Sequence, residues 1–269
     1  MSLFEGFRFR TITSPVHRLD PRGKFFYVCV MFVVAILFSE LIPLLALFFI
    51  QIPIIIVAKV QRQWAKSMRG ALYLAIFIFG TNLLTRYFFS GYTITPLDFE
   101  YSAAMTLRFV VLIQSFSIFF LTTSPDHLGL ALEQSHFPYQ FCFAFTTAVR
   151  FVPVLADEAK TIMDAQKARG LELEKGNFMK RVKNYIPILI PLIVGAIRRS
   201  LELAEAMESR AWGAVEKRTN LYVLKIEGRD LTLISFSIAL LVTAISVKVL
   251  TVYFGYTIPT ITSLLPINL

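Results

Sequence analysis

Two heptapeptides in this 269-residue chain share a pattern that could hold a partner protein. The first is Asp164-Ala165-Gln166-Lys167-Ala168-Arg169-Gly170 and the second is Glu205-Ala206-Met207-Glu208-Ser209-Arg210-Ala211. Each has an acid, an alanine, two variable residues, and then an arginine between two small residues. Arginine offers a planar, two-pronged set of donors suited to a carboxylate or carbonyl on another chain. Small neighbours let that partner approach the guanidinium closely. The pattern predicts two docking points, formed by Ala168, Arg169 and Gly170 and by Ser209, Arg210 and Ala211.

The elements that position them are membrane-associated. The chain is 56% hydrophobic, carries 26 phenylalanines, and has a mean hydropathy of +0.63. Its apolar residues come in blocks of membrane-span length. Five spans are predicted: Phe25–Ser39, Leu41–Ala58, Gly70–Phe89, Ser102–Leu121 and one within Arg229–Tyr253. Asp20-Pro21 opens the first helix, Asp as cap and Pro as a first-turn residue. A tight turn at Glu40 joins the first two. Lys59–Arg69 reads as a basic loop, and Ser90–Glu100 as a polar loop without Lys or Arg.

Of the 27 Lys and Arg residues, 24 fall in the N-terminal segment, the 59–69 loop and the 122–229 region. With five spans and the N-terminus inside, all three face the cytoplasm. The net charge of +9 is then a match for anionic headgroups, not for nucleic acid. The organisation expected is a membrane part over 1–121, a cytoplasmic or interfacial helical domain over 122–228, and a C-terminal helix and tail over 229–269. The middle domain contains a short helix at Pro125–Glu133, a helix from Tyr139 that ends at Gly170, and one from Phe178 to Ala211. The two long helices carry the arginines at their ends. Their apolar stretches Tyr139–Phe151 and Tyr185–Ile197 sit in or against the bilayer.

Other chemistry is missing. No Gly-rich phosphate loop with Lys-Ser/Thr is present, so the chain is not expected to hydrolyse ATP itself. His17, His127 and His136 lie near helix ends without a nucleophile or metal partner at suitable spacing. Cys29 and Cys142 sit in apolar runs and read as structural thiols. No cleavable signal peptide is expected. Glu40, Arg86, Arg108 and Lys248 lie near span ends, where long side chains reach water. A membrane enzyme acting on lipid would need paired acids or a His at the membrane face. A secondary transporter would show two related halves with broken helices.

The sequence resembles the transmembrane T component of energy-coupling factor transporters, the EcfT/CbiQ family. The resemblance rests on His17-Arg18-Leu19-Asp20-Pro21-Arg22-Gly23-Lys24, where the family more often has Thr at the Gly23 position. It also rests on Thr122-Thr123-Ser124-Pro125, Arg150-Phe151-Val152-Pro153 and the two arginine motifs. In the second motif Ser209 and Ala211 replace the commoner Ala and Gly. The resemblance implies an all-α polytopic, non-catalytic subunit in a prokaryotic cell membrane. It implies two cytoplasmic ABC ATPase subunits that use ATP and Mg, one on each arginine-tipped helix. It further implies a membrane-embedded S component that captures a vitamin or transition-metal ion. No cofactor or metal is expected on this chain itself.

Overall fold

The computed structural model describes residues 14–89, 95–135, 137–173, 175–214, 224 and 227–253. Arg8, Arg10, His136 and positions 90–94 of the Ser90–Glu100 loop lie outside them. Among the described residues there are eight helices and no strand: α1 (Pro21–Leu37), α2 (Leu41–Ala58), α3 (Gln61–Phe89), α4 (Pro96–Thr122), α5 (Pro125–Gln134), α6 (Tyr139–Ala168), α7 (Phe178–Glu208) and α8 (Gly228–Tyr253). The described residues form two compact units, one within 14–131 and 224–253, the other within 132–214.

The first unit is built round α1. Tyr27, Val28, Val30, Met31, Val34 and Ala35 are buried, a helical spacing wide enough to serve more than one neighbour. They meet Leu44 and Leu47 of α2, Ala104, Val111 and Phe119 of α4, and Ala244 of α8 in one core. α1 starts as its sequence demands, with Asp20 Oδ1 accepting from the Arg22 amide at 2.9 Å and Pro21 in the first turn. Two glutamines tie α2 to α4. Gln51 Nε2 donates to the Val111 carbonyl and Gln114 Nε2 to that of Phe48, each at 3.4 Å. Both side chains are fully buried.

The ionisable groups expected near span ends are all engaged. Arg86 lies 3.6 Å from Asp98 and Lys248 3.6 Å from Glu40. Arg108 donates to the Phe38 carbonyl at 2.6 Å. The Arg108 and Lys248 contacts tie the Glu40 turn to α4 and α8.

Two expectations are corrected. The Ser90–Glu100 loop is shorter than expected, because α4 begins at Pro96 behind the Thr95 cap and its Asp98 partner. Lys59–Arg69 is not a loop, because α3 begins at Gln61. The only break is at Lys59, whose left-handed φ of 57° ends α2. Residues 61–69 hold no helix breaker, and Trp64 packs on a small core of Ile55, Ala58, Val60 and Ile118. Gly70 is helical, and a Cβ there would meet nothing within 4 Å.

Length and composition alone select a slightly different set of spans from the sequence reading. Five helices are long and apolar enough to cross a bilayer: α2, α3, α4, α6 and α8. α1, at 17 residues, falls just below that length. α6 enters because it runs unbroken for 30 residues through Pro153. The chain is an all-α polytopic membrane protein.

Candidate docking tips on a helical hairpin

The second unit contains α6 and α7, and both arginine motifs end their helices in the same way. At the first, the Gly170 amide donates to the Lys167 carbonyl at 2.9 Å and the Leu171 amide to that of Gln166 at 3.0 Å. At the second, Ala211 donates to Glu208 at 2.9 Å and Trp212 to Met207 at 3.0 Å. This paired closure is the Schellman helix stop, which needs a left-handed residue just after the helix. Gly170 has φ 88° and Ala211 φ 56°. The small residue after each arginine is therefore required by the backbone as well as by any partner. Ala211 bears a strain that Gly170 avoids, because a Cβ is disfavoured there by roughly 1–2 kcal/mol. The stop also places Ser209, Arg210 and Ala211 beyond the last residue of α7, which is Glu208, and not inside it.

Ala168, Arg169, Gly170, Ser209, Arg210 and Ala211 are all exposed. The structure does not bring the two triplets together. It sets them at opposite ends of one antiparallel hairpin. Trp212 packs on Phe143 at 5.4 Å and on Tyr139 at 6.0 Å between ring centroids. The second tip is thus fixed beside the beginning of α6, while the first lies at its end. From Phe143 to Arg169 is 26 residues (169 − 143), about 39 Å of helix.

Three polar contacts hold the hairpin's register. Asn184 Nδ2 donates to the Glu172 carbonyl at 2.8 Å. Gln166 Nε2 donates to the Pro187 carbonyl at 3.4 Å. That carbonyl is free because Pro191, four residues on, has no amide hydrogen to give it. The prolines of α7 thus supply a cross-helix acceptor. Arg199 donates to Glu158 at 2.9 Å, with both side chains about a third exposed. Gly195 lies against the same carboxylate: a Cβ there would be 2.7 Å from Glu158 Oε1. The missing side chain of Gly195 leaves room for this carboxylate.

The tips have different surroundings. Beside the first is an open cleft of about 610 Å³ with Met163, Leu171, Leu173 and Tyr185 as apolar lining and Lys167, Lys175 and Glu172 at its polar edge. Beside the second are the rings of Trp212, Tyr139 and Phe143. Sequence reading missed Trp212, although it directly follows the motif, and it missed the Glu158–Arg199 pair, whose members are 41 residues apart. Among the described residues no cluster of His, Cys, Asp or Glu is arranged to hold a metal ion.

Residues 13–221 match the family model CbiQ, described as a cobalt transport protein. The chain belongs to the CbiQ/EcfT family. It is 34% identical to the energy-coupling factor transporter transmembrane protein EcfT of Thermosediminibacter oceani, over 81% of this chain and 88% of the relative. The EcfT proteins of Staphylococcus aureus and Bacillus subtilis are each 32% identical, over 83% and 82% of this chain and 89% of each relative. Both hairpin helices, Arg169 and Arg210 lie inside the matched range. As an EcfT-type chain it is a non-catalytic membrane component of a transporter.

Proposed function

We propose that this chain is the subunit that carries ATP-driven motion from two cytoplasmic ABC ATPase subunits to a membrane-embedded S component, which delivers a vitamin or transition-metal ion. The carrying observation is the pair of exposed arginine tips, each closed by the same paired backbone bonds, at opposite ends of one hairpin. A hairpin of this length can reach two separate subunits at once. Each guanidinium meets an acidic or carbonyl-lined groove on one ATPase, and desolvation makes such a contact cost several kcal/mol to break. ATP and Mg belong to those partners.

The hairpin also constrains topology. α6 is apolar enough to cross a bilayer, yet Trp212 ties the second tip to its first turn. Were α6 to span, Arg169 and Arg210 would face opposite sides of the membrane. Docking to one pair of cytoplasmic ATPases requires α6 to lie along the cytoplasmic face of a prokaryotic plasma membrane. Arg150 and Pro153 within its apolar half, and the charged residues from Asp157 onward, suit an interfacial position. The membrane helices are then α1, α2, α3, α4 and α8, with the N-terminus and the 122–228 region inside. The basic residues of 59–69, at the start of α3, fall on the same side.

The test is co-purification and substrate uptake with Arg169→Glu and Arg210→Glu, singly and together. Each single change should weaken ATPase capture and the pair should abolish it. Normal assembly and uptake in the double variant would overturn the reading. A cysteine introduced at 169 or at 210 in a Cys29→Ala background should react with an impermeant thiol reagent only from the cytoplasmic side. Labelling of the two positions from opposite sides would show that α6 spans.

A further inference from the structure

The chain passes from the first unit into the hairpin unit after residue 131 and is back in the first by residue 224. Both joins start close to the first turn of α1. On the way out, α4 ends at Thr122 and α5 begins at Pro125. Only Thr123 and Ser124 separate them. The first turn of α5 closes directly behind that break, with the Leu128 amide donating to the Ser124 carbonyl at 3.0 Å. On the way back, residue 224 stands six positions before Asp230 (230 − 224), in the first turn of α8.

Buried polar groups hold both joins there. Lys24 Nζ donates to the Thr122 carbonyl at 2.8 Å and to that of His17 at 3.3 Å. The Thr122 carbonyl is the last of α4, because the chain turns extended at Thr123, with φ −117°. A helix-end carbonyl lacks a helical donor, and a cation suits that end of the helix dipole. Asp230 secures the other join. Its Oδ1 accepts from the Asp20 amide at 2.7 Å and its Oδ2 from the Glu227 amide at 2.8 Å. Both Asp230 and Asp20 act on the charge of Lys24. Gly23 lets α8 come up to α1: a Cβ there would lie 3.7 Å from the side chain of Ile234.

Lys24, Asp20, Asp230 and Thr122 are each no more than 5% exposed. Burying an ammonium with two carboxylates is a poor way to gain stability alone, because desolvation offsets much of the attraction. Its strength is fixed geometry, since no member can turn to water. The contrast with the Glu40 turn is direct: there the Lys248–Glu40 pair is about a third exposed on both sides. The buried ionic contacts are kept for the place where the hairpin unit joins.

We propose that Lys24 and Asp230 are positioning residues of the coupling step, a clamp that ties both joins to the first turn of α1. The inference rests on the coupling reading above. A pull arriving through α5 reaches Thr122 and is passed by Lys24 to α1. A pull arriving from the return segment reaches α1 through Asp230 and the Asp20 amide. The starts of α1 and α8 and the end of α4 then move as one body. Without the ammonium, the two-residue break before α5 gives way and the displacement is lost there.

Cys29 is a native reporter on α1, exposed and five residues beyond Lys24 (29 − 24). The full chain carrying Cys142→Ala is labelled there with bimane. It is purified with its two ATPase subunits and S component into nanodiscs and read before and after ATP hydrolysis is trapped with orthovanadate. Trapping should shift the bimane emission. Lys24→Met should keep ATPase capture and reduce the shift about twofold or more. Asp230→Asn, which retains one acceptor, should reduce it less. Gln51→Leu with Gln114→Leu weakens the α2–α4 contact away from the clamp and should leave the shift unchanged. Helix content from circular dichroism is the folding control. A full shift in folded, ATPase-bound Lys24→Met and Asp230→Asn would overturn the clamp. So would an equal loss in the glutamine variant, which would mark a general effect of stability, or no shift in the intact chain with ATPases bound. An intact chain that captures no ATPase would overturn the coupling reading itself, and the clamp with it.

Discussion

Removing the carboxylate of Asp230 should release α8 from α1. Its Oδ1 accepts from the Asp20 amide at 2.7 Å and its Oδ2 from the Glu227 amide at 2.8 Å. Its charge also acts on the Lys24 ammonium. Asp230 is 3% exposed, and Lys24 and Asp20 are each 5% exposed, so none of these groups can turn to water. In Asp230→Ala the Asp20 amide loses its acceptor and Lys24 loses a buried counter-charge. Breaking a buried charged contact from one side costs about 3–5 kcal/mol. Asp230→Asn retains one acceptor and should cost about 1–3 kcal/mol. The assay is SDS titration of the chain in mixed lipid–detergent micelles, followed by helix content. The decisive variant is Lys24→Met combined with Asp230→Asn. Removing both charges should cost less than the sum of the two single changes, because neither is left buried alone. Strict additivity, or a loss below about 1 kcal/mol for Asp230→Ala, would refute this account.

Ala211→Gly should relieve the left-handed strain and steady the second tip by roughly 1 kcal/mol, and Gly170→Ala should loosen the first by a similar amount. Hydrogen exchange of the Leu171 and Trp212 amides reads both. Gln51→Leu and Gln114→Leu should each weaken the α2–α4 contact by about 0.6 kcal/mol, the usual size for such bonds in a membrane. SDS unfolding of the single and double variants checks it. His17 is held below its ordinary pKa by burial, and secondarily by the charge of Lys24. Its folded pKa is depressed, so its neutral form favours the folded state. That stability is present above the unfolded value of about 6.5 and is lost as pH falls below it. Unfolding from pH 8 to pH 5 should show this loss, and His17→Gln should flatten it.

The sequence carried local information well. Asp20-Pro21 begins α1, the Glu40 turn falls between α1 and α2, and Gly170 ends the helix before it. Each signal lies within a few residues of its effect. Other features were out of reach. Asp230 caps its own helix locally, but its partner Asp20 is 210 positions away, and no spacing rule joins them. Lys24 looked like one more basic residue at a membrane edge. Only the fold shows that Thr122 and His17 give it carbonyls inside the protein. The basic run at 61–69 misled because charge was taken for a loop, although its residues are good helix formers. The candidate site was half legible. The arginines and their small neighbours could be read directly, but their separation depends on Trp212 finding Tyr139 and Phe143.

Within the coupling reading, the distances along the hairpin set how the two tips would work together. Arg169 lies 11 residues beyond Glu158 on α6, and Arg210 lies 11 beyond Arg199 on α7 (169 − 158 and 210 − 199). Glu158 and Arg199 form the ion pair between the two helices, with Gly195 packed against the same carboxylate. Each tip therefore stands about 16 Å from that ion pair, on opposite sides of it. A tilt of the whole hairpin by about 10° about this point would move each tip by about 3 Å, in opposite directions. The arms are equal, so two partners pulling on the tips would act on the hairpin with equal leverage. A flexible helix end would absorb a stroke of about 3 Å before it reached the rest of the hairpin. Two Schellman stops, one backed by Trp212 and its rings and the other by the Gln166 and Asn184 contacts, prevent that loss. Within the coupling reading, the arginines supply the grip and the residues just after them supply the stiffness.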